Sequence, residues 1–514
     1  MRVGLYNRWL ATLGGGEKHS LAIAEYLSAR HAVQVVTHRP VSRELAEERL
    51  GFDLSNVEFV AIPDRYSSEV AAITSDYDLF INASYMDFLP SFARYSATLI
   101  YFPARVDRKK SLARRLKLSM RRWLKLPAVL TGIHAFKVEG GEFKWATDTV
   151  LKIRLPYTRA PYRFSFRLSA VDERVHSALV LLDKRQIERI DFRSPCQPQL
   201  CQVMIPARQD RMYGELTICV DGDVPVDGLT KMEISSLWLD LPEYRFYHRF
   251  FERGLVGIGI RLQYYPPAAS MLDYIDTYGQ IWANSEFTRR WIKNYWKRDS
   301  QVLYPPVNVE DFWVGEKRNQ IINVGRFFAG QHNKKHLEMI TAFRQMVDAG
   351  LTGWELHLAG AKMPGEEHVA YLDQVHQSAR GYPIQIHTDL SFQELARLYA
   401  ESAIYWHASG YGEDERRYPD KFEHFGITTV EGMAAGCVPV VIGKGGQPEI
   451  VHHGVNGFLW RSLEELKSQT LRLIQDPALR QRMAAAALAM SKKYDKQHFH
   501  ARLTQLLGQI GFPV

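Results

Sequence analysis

The chain has 514 residues, of which 46% are hydrophobic and 24% charged, and a formal net charge of +8. These fractions are typical of a globular protein and exclude the disordered, collagen-like and disulfide-scaffold classes. At roughly 100–200 residues per domain, the length predicts two to four domains. Four cysteines without a C-x-x-C pair indicate neither a zinc site nor a disulfide framework, so we expect a reduced, cytosolic compartment.

The first hundred residues alternate strand and helix signals. A short apolar strand at 3–6 precedes the glycine-rich turn Gly14-Gly15-Gly16, and an amphipathic helix follows. Further strands are predicted at 33–37, 79–81 and 98–102. Strands that alternate with helices predict a parallel sheet with crossover helices.

Residues 108–125 carry the basic character of the chain. This segment holds nine Lys and Arg residues and no acid, and without it the remaining chain has a net charge of −1. Its apolar residues fall on one helical stripe, which suits either an anionic membrane surface or a helix packed on the core with a solvated basic face. No aromatic-interleaved groove accompanies the segment, so we expect no nucleic-acid partner.

The alternation of predicted strands and helices stops between about 131 and 241. Short segments rich in Val, Ile, Leu, Phe and Tyr are separated by turn residues, which predicts an inserted all-β module of sandwich type. The α/β alternation returns after Trp282. We therefore predict an α/β protein with two Rossmann-like domains and a β insert. The predicted bounds are 1–130 with 242–280 for the first domain, 131–241 for the insert, 281–485 for the second domain, and 486–514 for a C-terminal helix that crosses back.

Three segments carry residues suited to binding a phosphorylated ligand. The turn at 14–16 lies between the first strand and first helix, where free N–H groups suit a phosphate. Gly325-Arg326 closes a strand and Lys334-Lys335 opens the next helix, so that an Arg and a Lys can neutralise a diphosphate, while two solvated surface cations would give the same pattern. The run EHFGITTVE places two carboxylates, Glu423 and Glu431, seven residues apart.

This run resembles the E-x7-E signature of the retaining GT-B glycosyltransferases of family 4, many of which make bacterial surface polysaccharides. The resemblance covers roughly residues 1–130 and 245–480. It rests on motifs in the expected order, namely the glycine-rich turn, NSEF at 284–287, YPPV at 304–307, Gly325-Arg326 with the Lys, the E-x7-E run and GGQPE at 445–449.

The resemblance implies roles for the charged residues of the second domain. Glu423 would contact the donor sugar and, with Arg326 and Lys334, form the catalytic set, the two cations holding the diphosphate. Glu431 would bind the ribose hydroxyls of the donor. Lys335 is the competing choice for the diphosphate contact. Counting back from Ala342-Phe343 favours Lys334, but the length of the loop after Arg326 leaves the two lysines open.

The resemblance also implies further donor-binding residues. Gly15 and Gly16 would present backbone N–H groups to a phosphate or to the acceptor, and Gly446 and Glu449 would line the donor pocket. His407 would lie on the sugar side. Many relatives have a His where this chain has Tyr101, which we interpret as a packed aromatic at a strand end.

The expected function is therefore retaining transfer of a hexose from a nucleotide-diphosphate sugar to a glycan, in surface polysaccharide or glycoconjugate synthesis. The expected acceptor is lipid-linked, and 108–125 would hold the protein at the inner face of the plasma membrane. Neither a metal nor another cofactor is expected. A soluble polysaccharide synthase and a nucleotide-sugar epimerase are rival enzymes. From another class, the rival is an inert GT-B scaffold whose β insert binds glycan or a partner enzyme.

Overall fold

The computed structural model describes most of the chain. The described residues are 1–62, 73–105 apart from 88, 90 and 92, 124, 127–222 apart from 140, 141, 184 and 209–212, 231–249, 271–330 and 332–513. The basic segment 108–125 lies outside these residues except for Leu124.

Strands and helices follow one another in the order that the alternation predicts. The strands are β1 Arg2–Tyr6, β2 Ala32–Thr37, β3 Val57–Ala61, β4 Leu79–Asn82, β5 Tyr95–Ile100, β6 Ala128–Glu139, β7 Glu142–Pro156, β8 Tyr162–Ala170, β9 Ser177–Leu182, β10 Arg185–Asp191, β11 Gln199–Ile205, β12 Tyr213–Val220, β13 Met232–Leu239, β14 Gln280–Ala283, β15 Gln301–Val302, β16 Arg318–Val324, β17 Glu355–Gly360, β18 Ile384–Thr388, β19 Ser402–His407, β20 Val438–Ile442 and β21 Phe458–Trp460. The helices are α1 Gly15–Ser28, α2 Arg43–Leu50, α3 Pro242–Tyr247, α4 Met271–Ile275, α5 Glu286–Trp296, α6 His336–Asp348, α7 Glu366–Ala379, α8 Phe392–Glu401, α9 Ile427–Ala434, α10 Gln447–Ile450, α11 Leu463–Gln475, α12 Pro477–Ser491 and α13 Lys496–Gln509.

Two parallel sheets organise the two α/β domains. The first has the strand order β15-β14-β5-β4-β1-β2-β3, and the second has the order β18-β17-β16-β19-β20-β21. The inner strands of both are almost fully buried because helices cover both faces, which is the usual environment of a parallel sheet. In such sheets ligands bind beyond the carboxyl ends of the strands.

The first domain extends further along the chain than the sequence predicts. Strand β14 pairs with β5, and β15 pairs with β14, so that both belong to the first sheet. The second domain therefore begins after Val302 and not at 281. The local pattern of a short apolar strand does not encode which sheet the strand joins.

The inserted module is a single antiparallel sheet of eight strands, β6 to β13, around one hydrophobic core. The long strand β7 pairs with β13 through its first half and with β12 through its second half. The sandwich prediction implied two separate sheets, whereas here β7 pairs with strands of both halves and joins them into one sheet.

The chain crosses between the α/β domains twice. The first crossing follows β15, and the second lies between α12 and α13. At the crossings the N–H of Val307 donates to the carbonyl of Tyr494 at 2.8 Å. Helix α12 packs on α9 of the second domain, whereas Phe499 and Leu503 of α13 lie in the core of the first. The segment that packs on the first domain thus starts at Lys496 and not at 486.

Candidate functional site

The two domains meet where the glycine-rich turn faces the E-x7-E run. A Cβ atom on Gly15, at the start of α1, would stand 3.2 Å from Cδ1 of Ile427, at the start of α9. Nearby, the ring of His424 stacks on Phe102 of the first domain, with centroids 4.4 Å apart and planes 17° apart. The candidate site is the cleft beside these contacts.

An ion pair joins two of the predicted catalytic residues. Lys334 Nζ donates to Oε2 of Glu423 at 2.5 Å, and about a fifth of each side chain is exposed. The stem of Lys334 lies over Gly325, where a Cβ atom would be 2.6 Å from Cγ of the lysine. Any larger residue at 325 would therefore displace the lysine from Glu423.

A third residue completes this group. His407, at the end of β19, places Nε2 3.2 Å from the same Glu423 oxygen. Burial lowers the pKa of His407, so the ring is neutral at pH 7 and donates its Nε2 proton to the carboxylate. Burial alone would raise the pKa of Glu423, but the Lys334 ammonium and the His407 bond hold it well below its usual range. Glu423 is therefore a fixed anion and an acceptor of hydrogen bonds.

Arg326 supplies a second cation beside Lys334. It follows the end of β16, and its side chain is exposed, with the guanidinium 5.9 Å from the ring of Phe328. No carboxylate among the described residues pairs with it. Two cations at one strand end, of which one is not neutralised by a described residue, make a site for a dianionic group such as a diphosphate.

The structure separates the two adjacent lysines. Lys335 has a positive φ of 63°, which turns its side chain away from that of Lys334. Its Nζ lies 3.6 Å from Glu338 and 3.9 Å from Glu413. Lys334, not Lys335, is thus the lysine beside Glu423, the choice that the sequence leaves open.

Glu431 lies within α9, which begins after Glu423, and has a different setting. Its Oε2 accepts one hydrogen bond, at 3.2 Å, from the hydroxyl of Tyr399. Burial raises its pKa, although Lys18 of the first domain and Tyr399 oppose the shift. The carboxylate has capacity for further donors, as binding of two ribose hydroxyls requires.

Tyr101 packs against the glycine-rich turn and forms a hydrogen bond with it. The Tyr101 hydroxyl donates to the carbonyl of Gly16 at 2.6 Å, and its ring lies 3.4 Å from where a Cβ on Gly16 would stand. Burial raises the pKa of Tyr101 well above its usual range. The N–H groups of Gly15 and Gly16, in the first turn of α1, find no acceptor among the described residues and remain available to an anion.

Gly446 and Glu449 make structural contacts in addition to the donor contacts that the resemblance implies. The N–H of Gly446 donates to the carbonyl of Glu423 at 2.8 Å, and a Cβ there would lie 2.3 Å from the carbonyl oxygen of His424. Gly446 therefore fixes the backbone that carries the E-x7-E run.

The carboxylate of Glu449 is used at the joint between the domains. It accepts the N–H groups of Glu286 and Phe287 at 2.8 and 2.6 Å, at the start of α5, and the hydroxyl of Tyr304 at 2.9 Å. The hydroxyl of Tyr494 donates to the Glu449 carbonyl at 3.0 Å. Sequence reasoning missed this role because a motif does not show which group its carboxylate faces.

Two further residues border the site and were not predicted. His424 contacts His332, with ring centroids 5.9 Å apart, and burial lowers the pKa of both. The pKa of His424 falls to about 3. Both rings are therefore neutral at pH 7, and Lys334 and Arg326 supply the positive charge of the site.

Comparison with known proteins bears on the fold and on the second domain. The family model of glycosyl transferases group 1 matches residues 309–490. Anabaena HepE, solved in complex with UDP and glucose, superposes with a TM-score of 0.53 over 99% of this chain and 100% of its own, at 13% identity. The chain has the GT-B fold, and its residues 309–490 match the glycosyl transferases group 1 model.

Two curated relatives match the GT-B chain over part of their length. The human alpha-1,3/1,6-mannosyltransferase ALG2 is 27% identical over 261 residues, which are 45% of this chain and 60% of ALG2. The GDP-Man:Man(3)GlcNAc(2)-PP-Dol alpha-1,2-mannosyltransferase of Dictyostelium discoideum is 26% identical over 227 residues, which are 40% of this chain and 42% of that protein. Within the described residues, no helix of the GT-B chain is long and apolar enough to cross a membrane.

Proposed function

We propose that this protein is a retaining glycosyltransferase that moves a hexose from a nucleotide-diphosphate sugar to a glycan acceptor. The observation that carries the proposal is the pairing of Lys334 with Glu423 next to the exposed Arg326, at the carboxyl end of β16. A diphosphate needs the two cations, and a sugar hydroxyl needs the fixed carboxylate. The group 1 family match over 309–490 contains all three residues.

The proposed chemistry follows from the charges that develop in the transition state. Breaking the bond between the anomeric carbon and the phosphate builds negative charge on the leaving diphosphate, which Arg326, Lys334 and the N–H groups of Gly15 and Gly16 stabilise. The acceptor hydroxyl attacks on the same face, and its proton passes to the leaving phosphate. Because its pKa is held well below the usual range, Glu423 stays ionised and orients the sugar by accepting hydrogen bonds from its hydroxyl groups.

We further propose mannose from GDP-mannose as the first donor to test, and a pyrophosphate-linked lipid glycan as the acceptor. The names of the human and Dictyostelium relatives, which specify mannosyl transfer and a PP-Dol-linked glycan, support this choice. HepE was solved with UDP and glucose, so UDP-glucose is the second donor. The proposed place of action is the inner face of the plasma membrane, with 108–125 on the anionic surface, in glycoconjugate or surface polysaccharide synthesis.

Nucleotide binding is the first test. Thermal shifts are measured with GDP, UDP, ADP, CMP and dTDP, each free and sugar-linked. A ligand at about 100 times its dissociation constant adds about 2.7 kcal/mol to the stability of the domain that binds it. One clear responder supports the proposal, whereas no response from any nucleotide would refute it and favour the inert scaffold with a binding β insert.

Transfer with the responding donor tests the chemistry. The product anomer, read by NMR, must keep the configuration of the donor if the mechanism is retaining. Because the two side-chain cations neutralise the diphosphate, we expect activity to persist in EDTA, and its loss would contradict a metal-independent reaction.

Deletion of 108–125 is expected to release the protein from anionic vesicles, and continued binding would contradict the membrane proposal.

A further inference from the structure

Two large apolar side chains are exposed on the first domain at the edge where ligands bind. Trp9 is 46% exposed and Met86 is 42% exposed. Trp9 lies in the loop after β1 and Met86 in the loop after β4, and β1 and β4 are neighbours in a parallel sheet. Both loops therefore emerge at the carboxyl ends of the strands, beside the cleft.

The indole of Trp9 is held in place and has no polar group to offer. Its Nε1–H donates to the carbonyl of Tyr85 at 2.8 Å, and its backbone N–H donates to Oδ1 of Asn7 at 2.9 Å. The indole has no other hydrogen-bonding group. The exposed surface of the ring is consequently apolar, flat and fixed in orientation.

A buried amide holds the loop that carries Met86. Asn82 is 1% exposed, donates to the carbonyl of Asp87 at 2.9 Å and accepts the N–H of Ser84 at 2.9 Å. Met86 has a φ of +57°, a left-handed conformation that is unfavourable for a residue other than glycine. The loop thus maintains a strained backbone at the residue that presents an apolar side chain to solvent, which is a common feature of binding sites.

Charged groups lie beside this apolar surface. The Arg8 guanidinium is 5.8 Å from the Trp9 ring centroid and pairs with Asp87 at 3.1 Å. The hydroxyl of Tyr6 also donates to Asp87, at 2.5 Å. A fixed aromatic face next to a hydrogen-bonding ion pair fits a sugar ring, which has an apolar C–H face and a rim of hydroxyl groups.

The same loop is continuous with the candidate site. Tyr85 packs against an aromatic cluster of Phe102, Phe287 and Phe422, and Phe422 directly precedes Glu423. Asp420 of the second domain acts with burial to raise the pKa of Tyr85. A ligand on Trp9 would therefore lie on the first-domain side of the cleft, within reach of a sugar held at Glu423.

We propose that Trp9 and Met86 form a stacking platform for a sugar ring of the glycan acceptor, with Arg8 and Asp87 beside its hydroxyl rim. The proposal deepens the proposed function and rests on it. The platform would bind the sugar ring in the same way whether the reducing end of the acceptor is free or lipid-linked. The alternative occupant of an apolar surface of this size, an alkyl chain, is an outcome of the test.

The test is saturation-transfer NMR on the full chain with saturating nucleoside diphosphate. The probes are methyl glycosides of glucose, mannose, galactose and N-acetylglucosamine, together with octyl β-glucoside, whose ring and alkyl protons give separate signals. We expect wild-type protein to saturate the ring protons of at least one glycoside. Trp9→Ala should weaken its binding about tenfold, the factor that loss of one stacked aromatic contact produces.

Two variants accompany Trp9→Ala. Trp9→Phe keeps an aromatic face and should retain most of the signal, and Leu200→Ala removes a 63% exposed side chain from β11 of the insert and should change nothing. The proposal is wrong if Trp9→Ala leaves the ring signals unchanged, if no glycoside binds in a Trp9-dependent way, or if only octyl protons depend on Trp9. Nucleotide thermal shifts on the same samples separate the outcomes: nucleotide binding without Trp9-dependent sugar binding refutes the platform alone, and absence of nucleotide binding refutes the proposed function.

Discussion

Replacing Lys334 with Met removes the ammonium beside Glu423 but keeps the stem that packs on Gly325. At about 4 Å and an effective dielectric constant near 20, an ammonium and one phosphate charge attract by about 4 kcal/mol. Lys334 is about one-fifth exposed and shares its charge with Glu423, so we take roughly half to three-quarters of this value. The expected loss is about 2–3 kcal/mol, which corresponds to a roughly 30- to 150-fold weaker affinity for a nucleoside diphosphate.

Lys335→Met is the matched control for this loss. The Lys335 ammonium is 3.6 and 3.9 Å from the carboxylates of Glu338 and Glu413, and such partly exposed pairs contribute about 0–1 kcal/mol. We expect its diphosphate affinity to remain within about fivefold of wild type. Isothermal titration calorimetry with GDP and UDP, at pH 7.5 and low ionic strength, measures both variants.

Guanosine and uridine provide a second control because they lack the phosphates. Their binding should be the same in wild type and in Lys334→Met. Equal losses of GDP or UDP affinity in the two variants, or a loss of nucleoside affinity as large as that of the diphosphate, would refute the assignment of Lys334 to the diphosphate.

Three further predictions concern stability and are read by chemical denaturation. Glu449→Gln replaces a charged acceptor of two backbone N–H groups, so the free energy of unfolding should fall by about 2 kcal/mol, and an unchanged value would contradict its role at the joint. Gly446→Ala should lower the free energy of unfolding by at least about 2 kcal/mol because its Cβ would lie 2.3 Å from a carbonyl oxygen. The control Gly508→Ala, in open space on α13, should leave that free energy unchanged or raise it by about 0.5–1 kcal/mol. Similar effects of the two variants would contradict the packing argument. The folded-state pKa of Glu423 is depressed, so the stability that its ionised form contributes is complete above the unfolded pKa of about 4.3 and is lost as the pH falls through the folded pKa. The stability difference between wild type and Glu423→Gln should therefore shrink below about pH 4. A constant difference from pH 7 to pH 3 would contradict the pairing with Lys334.

Much of the fold follows from the sequence because strand and helix periodicity are local properties. The alternation before residue 102 and after Trp282, and the short strands between them, correspond to two parallel sheets and one antiparallel sheet. The boundary at 281 is wrong because pairing of β14 with β5 joins residues 183 positions apart, such as Gln280 and Ala97, and no local pattern records that pairing.

The site was predictable in its members but not in all its contacts. Glu423 and Lys334 were named from motifs, and they form an ion pair across 89 residues of chain. Their contact also depends on the glycine at 325, whose lack of a side chain makes room for the lysine stem. Glu449 was named from its motif as well, but its carboxylate reaches α5 because the fold brings the start of that helix to it. Stacking of His424 on Phe102 has no signal in either segment alone.

The two crossings between the domains lie side by side, joined by the hydrogen bond from Val307 to Tyr494. Two adjacent connections leave one easy relative motion, a rotation about the line that they define, while separating or sliding the domains would strain both. Opening and closing of the cleft should thus be a hinge rotation that one angle between the two domains describes. A single proteolytic cut in the segment after β15 would leave the halves tethered through the second crossing and able to close again.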